Sequence, residues 1–120
     1  RDWSSDVCSS DLNNFASSRF TPTVAGYYQF NGSVAVASGS ANVTEAEAII
    51  YKNGAQTLFG TYLVASNSSV IFSVVSGILY LNGTTDYVEL YGYGTGTSPY
   101  FRYLTSSNSC QFSGCLLRGA

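Results

Sequence analysis

Histidine and methionine are absent from this 120-residue chain, and charge is scarce, with five lysines and arginines against seven carboxylates. Without histidine there is no Ser/His/Asp or Cys/His nucleophile and no imidazole metal ligand, which removes the commonest catalytic constellations. The chain is therefore read as a non-enzyme. Its cations, spread along the chain at Arg1, Arg19, Lys52, Arg102 and Arg118, form no electrostatic footprint for nucleic acid or an anionic membrane, and both partners are discounted. No apolar run approaches the roughly twenty residues of a spanning helix, so no membrane insertion is expected. The missing methionine leaves no natural start, and the chain is read as the C-terminal fragment of a longer protein.

Arg1–Leu12 fits no motif and shows no strand or helix period. Asp2–Leu12 instead resembles the one-frame translation of a widely used short-read sequencing adapter. Residues 1–12 are set aside as an adapter-derived or disordered tail, not native sequence, which makes a microbial or viral source the expectation. Without them the cations fall from five to four through Arg1, and the carboxylates from seven to four through Asp2, Asp6 and Asp11, so residues 13–120 are neutral. That length makes one domain with a two-layer core and little surplus burial, which oligomerisation would relieve.

What remains is rich in Ser, Thr, Asn and Gly interleaved with Val, Ile, Leu, Tyr and Phe, an alternation that marks β structure. Tyr28, Phe30, Val34 and Val36 share one face of a half-buried strand, with Gln29, Asn31, Ser33 and Ala35 on the other. Over 42–51, Ala46, Ala48 and Ile50 oppose Glu45, Glu47, Ile49 and Tyr51. Asn53-Gly54 then makes a hairpin turn, since both positions tolerate positive φ. Residues 55–64 predict one return strand, Ser66–Ser69 a turn, and 70–81 a long strand apolar on both faces and interrupted at Gly77. After Asn82-Gly83, Val88 and Leu90 alternate with Tyr87, Glu89, Tyr91 and Tyr93. Tyr100–Leu104 and Cys110–Arg118 complete about eight strands at turn spacings of about ten residues, which indicates an all-β antiparallel two-sheet sandwich or jelly roll.

A monomeric sandwich should turn polar residues to water at alternate positions. The last strand has Phe112, Gly114 and Leu116 on one face but Cys115 and Leu117 on the other, and three phenols stand opposite Val88 and Leu90. That is too much aromatic area to leave uncovered. Tyr87, Glu89, Tyr91, Tyr93, Cys115 and Leu117 are therefore expected at an interface between copies of the chain. Cys110 and Cys115, if on one extended strand, stand roughly 17 Å apart, too far for a disulfide. Both are expected to be free, acting as small hydrophobes.

Two segments carry a family resemblance: Phe20-Thr-Pro-Thr-Val-Ala-Gly-Tyr-Tyr-Gln-Phe30 and Phe112-Ser-Gly-Cys-Leu-Leu117. With Lys52-Asn53-Gly54 between them, their order and spacing resemble the globular heads of the complement component 1, subcomponent q family, relatives of tumour necrosis factor. The resemblance covers nearly all of 19–117. It departs at Thr85-Asp86, where the family has Gly-Asp, and at Cys115, where it has an aromatic. It implies a jelly-roll homotrimer whose last strand and sheet neighbours line the threefold axis. It also implies an extracellular, cell-surface or virion location.

The expected function is a non-catalytic, trimerising and ligand-binding head at the C-terminus of a fibrous surface protein or viral tail fibre. The alternative is a secreted complement- or cytokine-type recognition module. A surface of Tyr, Ser, Gly and Asn suits a protein or carbohydrate receptor, with candidate contacts Asn42, Thr95, Ser98, Tyr100 and Asn108 in the loops 38–44, 94–99 and 105–109. No cofactor is expected. Calcium, which some relatives bind near the trimer top, would need about five or six oxygens beyond Glu45, Glu47 or Asp86. Among the four carboxylates, Glu45 and Glu47, two apart on one strand face, and Asp86 and Glu89, a glycosidase pair is conceivable, but exposed acids bordering a loop are the commoner reading. The sequons at Asn31, Asn42, Asn67 and Asn82 match composition.

Overall fold

The computed structural model describes residues 15–16, 19–102 and 111–120; the 1–12 tail, the 105–109 turn with Asn108, and Cys110 lie outside them. The strands are β1 (Phe15–Ala16), β2 (Arg19–Phe20), β3 (Gly26–Ala37), β4 (Val43–Lys52), β5 (Ala55–Phe59), β6 (Leu63–Ser68), β7 (Val70–Leu81), β8 (Val88–Gly96), β9 (Tyr100–Phe101) and β10 (Gln111–Gly119). They form two antiparallel sheets, as a β-sandwich does, and no helix occurs among the described residues. One sheet is six-stranded, ordered β1-β2-β8-β4, with β5 and β6 sharing the outer edge of β4. The other is four-stranded: β10 and β9 share one edge of β3, and β7 takes the other. The chain passes from sheet to sheet after β2, β3, β6, β7 and β8.

Period-two alternation explains which side chains meet between the layers. Tyr28, Phe30 and Val34 of β3, Val75 and Leu81 of β7 and Phe112 of β10 are buried against Phe20, Ala48, Ile50 and Val88 of the other sheet, while Val36 packs with Val43, Ala46 and Ile71 in a second cluster. Phe20 stands edge-on to Tyr28 and Phe30 at centroid distances of 5.4 and 5.2 Å, and Phe30 stacks on Phe112 at 5.8 Å. Each such ring contributes about 1.5–3 kcal/mol by leaving water. The buried Tyr28 hydroxyl donates to the Val24 carbonyl at 2.7 Å, so the phenol enters the core satisfied.

Several expectations change: residues 66–68, expected as a turn, close β6, and Thr95, expected in a loop, lies on β8. The return strand over 55–64 is two strands, because the chain leaves the sheet edge at Gly60. There a Cβ would lie 2.4 Å from the Val74 carbonyl oxygen and 2.6 Å from that of Ala48, so only glycine passes. The Gly60 and Thr61 amides then donate to Ala48 at 2.8 Å and Val74 at 3.0 Å, one on each sheet. Ser73, buried in the core, completes this stitch: its hydroxyl accepts from the Ala48 amide at 2.9 Å and donates to the Thr61 carbonyl at 2.6 Å.

Gly77 does not interrupt β7, which pairs with β3 without a break from Val70↔Ala37 to Leu81↔Gly26. Its missing Cβ makes room for Leu58, whose Cδ1 would be 2.7 Å away. Finally, Cys115 is disulfide-bonded rather than free. The described residues of the last strand are Gln111–Gly119. Cys8 and Cys110 lie outside the described residues.

Candidate functional site

Strand β8 pairs with β4 in the register Glu45↔Thr95, Glu47↔Tyr93, Ile49↔Tyr91 and Tyr51↔Glu89, so these residues share the outward face of the six-stranded sheet. Tyr91 and Tyr93 are 47% and 45% exposed, while Val88 on the opposite face is fully buried. The phenols thus point away from the core. Tyr91 leans on Tyr51 with centroids 4.1 Å apart, and the Tyr51 hydroxyl accepts from Gln56 Nε2 at 3.1 Å. At one end of the face Arg19 pairs with Glu89 at 3.1 Å and lies 4.0 Å over the Tyr87 ring.

At the other end the Glu45 carboxylate accepts hydrogen bonds from Tyr62, from Thr95 Oγ1 at 2.9 Å and from the Tyr93 hydroxyl at 3.3 Å. These donors, Tyr62 first, hold its carboxyl below the ordinary range. The same bond pushes the Tyr62 phenol up to about 12, and the Glu45 charge raises Tyr93. A carboxyl so held is a poor proton donor, which argues against Glu45 as the acid of a glycosidase pair. Glu47, beside Tyr93, makes no hydrogen bond or ion pair among the described residues.

The outward face of the four-stranded sheet is different. On β7, Phe72, Val74, Ile78 and Tyr80 stand in one row, all exposed, with Ile78 at 54%. Tyr80 faces Tyr27 across the β3 ladder, ring edge to ring face at 5.4 Å, and the Arg118 guanidinium lies 4.8 Å over Tyr27. Cys115 pairs with Gln29, while Leu117, at a bulge between Leu116 and Arg118, is exposed. Beside this row a hollow of about 620 Å³ opens, lined by Asn31, Ser33, Thr61, Val74, Ser76 and Gln111.

The six residues expected at one interface are therefore divided. Tyr87, Glu89, Tyr91 and Tyr93 flank or lie on β8 in one sheet, and Cys115 and Leu117 lie on β10 in the other. Alternation alone could not say which strands share a sheet. The β7 row, absent from the expected interface, had a signal in the sequence: a strand apolar on both faces.

Of the candidate ligand contacts, Asn42, Thr95, Ser98 and Tyr100 come to one end of the sandwich, and Asn108 lies outside the described residues. The two described loops are tied together. Asn42 Nδ2 donates to Thr97 Oγ1 at 2.7 Å, the Thr97 amide donates to the Asn42 carbonyl at 2.9 Å, and Ser38 Oγ donates to the Thr97 carbonyl at 2.6 Å. At the opposite end Asp86 accepts from Asn53 Nδ2 at 2.9 Å and the Asn82 amide at 3.0 Å, with Lys52 Nζ at 3.6 Å. Asn53 chiefly holds the Asp86 carboxyl below its ordinary value. A carboxylate so occupied is a turn lock, and Glu45 and Glu47 lie far along β4 from it. The three acids named for calcium thus do not converge.

No protein-family model matches the chain, and no curated protein matches it.

Proposed function

We propose that the chain is a non-catalytic jelly-roll head that assembles as a homotrimer and displays a ligand-binding surface, at the end of a fibrous surface protein or viral tail fibre. The observation that carries this reading is the row Phe72, Val74, Ile78 and Tyr80 on β7, exposed and free of any acid. A row of large apolar side chains broken only by Ser76 is costly in water and marks an interaction surface. Its setting supports the resemblance to the complement and tumour necrosis factor heads, because β7 shares its sheet with the last strand, β10. The interface is accordingly assigned to the outer face of the four-stranded sheet, keeping Cys115 and Leu117 and replacing the phenols of β8 by the β7 row. Alternation of the chain between two antiparallel sheets supports the jelly-roll connection. The disulfide at Cys115 suits an oxidising, extracellular setting.

Sedimentation tests the assembly. The chain is expected to sediment as three copies at micromolar concentration, and Ile78→Asp to sediment as one copy with its β circular dichroism retained. A wild-type monomer would overturn the reading.

A further inference from the structure

We propose that the outward face of the six-stranded sheet is a binding platform for an oligosaccharide carrying free amino groups, seated on Tyr91, Tyr93 and Tyr51 and held by Glu47 and Glu45. The proposal rests on the head being a ligand-displaying module, and it names the site and the ligand chemistry.

Three observations converge on that class. First, the rings are already fixed: Tyr51 and Tyr91 lean on each other at 4.1 Å, and the Tyr93 hydroxyl is tied to Glu45 at 3.3 Å. Rigid aromatic side chains cost little entropy on binding, and the negative face of each ring attracts the C–H groups of a pyranose. Tyr91 and Tyr93, two residues apart on an extended strand, are spaced by about 6.8 Å, a row rather than a pit, as an extended chain ligand requires.

Second, the carboxylates want donors. Glu47 stands next to Tyr93 in the register with no partner among the described residues. Glu45 is held in place by three hydroxyls, which orient it without neutralising it. The only cation on this face among the described residues, Arg19, is paired with Glu89 at its far end. An ammonium group beside Glu47 and Glu45 supplies the missing countercharge to both and hydrogen bonds to Glu47.

Third, a protein partner fits this face less well. Carboxylates are depleted from the cores of protein interfaces because their desolvation is costly. A saccharide keeps such groups hydrogen-bonded through its hydroxyls and amines, and it leaves them partly wet.

The test is calorimetric titration of the full chain with the glucosamine hexamer, cellohexaose and hexalysine. The glucosamine hexamer is expected to bind at least tenfold more tightly than either of the others. Tyr91→Ala is expected to weaken it at least tenfold. Glu47→Gln, which removes charge from an unpartnered side chain and so leaves the fold unaltered, is expected to weaken it severalfold and to flatten its salt dependence. Equal binding of cellohexaose would overturn the ammonium contact, and equal binding of hexalysine the saccharide. No binding of the hexamer, or binding untouched by Tyr91→Ala, would overturn the site. These outcomes are separate from assembly: a trimer that binds nothing sinks the platform alone, and a monomer that binds sinks the assembly alone.

Discussion

Strand β7 lines up Phe72, Val74, Ile78 and Tyr80 on one outward face of the sandwich, with no carboxylate anywhere on that sheet; on the opposite face Glu45, Glu47 and Glu89 are set among Tyr51, Tyr91 and Tyr93. Both faces are aromatic and both are exposed. What separates them is whether the polar partners of the rings can stay hydrated once covered. A face whose one charge is the Arg118 guanidinium over Tyr27 can be sealed by another protein surface at a smaller desolvation penalty, whereas a face with three acids must keep donors close to them. Aromatic area by itself therefore does not locate an interface; the residues between the rings do.

The largest effect expected from this contrast comes from placing the same charge on each side. Ile78→Asp should dissociate the trimer in sedimentation, while Tyr91→Glu should leave three chains together. Dissociation by the second variant alone would move the interface to the six-stranded sheet.

Ser73→Ala tests whether the faces belong to one cooperative unit, since that hydroxyl joins Ala48 of one sheet to the Thr61 bridge beside the other. Leaving an amide and a carbonyl unpaired inside should cost about 2–4 kcal/mol in chemical denaturation. A single transition is expected, and two transitions would show that the sheets unfold separately.

Acid provides a finer comparison. Glu45 has its carboxyl depressed below 4.5, so the folded chain binds this proton less readily than the unfolded chain. The stability it contributes is complete above the ordinary value and is lost as pH falls through the depressed one. Glu45→Gln should remove part of the acid-side decline in melting temperature. The Asp86 lock, depressed for the same kind of reason, should retain the rest. The smallest effect is spectroscopic: Tyr62 should ionise near 12, and at lower pH in Glu45→Gln, as followed by phenolate absorbance. An unchanged titration would mean that the Tyr62–Glu45 bond does not form in solution.

Much of the layer structure was legible in the sequence. Alternation placed Tyr28, Phe30, Val34 and Val36 inward on β3, as it placed Ala46, Ala48 and Ile50 on β4, because a buried face imposes its period on the strand. Asn53-Gly54 marked its hairpin because both residues adopt positive φ, 53° and 82°. Long-range features were not legible. The split of 55–64 depends on carbonyls of Ala48 and Val74 crowding Gly60, and the continuity of β7 depends on Leu58 filling the space at Gly77. Both facts come from parts of the chain distant in sequence. The same limit governed the surface residues, since the phenols of β8 and the leucine of β10 look alike until strand order puts them on opposite sides.

The turn lock around Asp86 has a consequence for chemical ageing. Asn53-Gly54 and Asn82-Gly83 are the kind of dipeptide in which the asparagine side chain cyclises onto the next backbone nitrogen and emerges as a carboxylate. In the fold Asn53 is held through Asp86 and the Tyr87 amide, and the Asn82 side-chain oxygen accepts the amides of Thr84, Thr85 and Asp86. Cyclisation must first break those bonds, so intact heads should deamidate slowly and unfolded ones fast. Should Asn53 convert, its new negative charge would face Asp86 directly. That end of the sandwich would then record how long a molecule had spent unfolded.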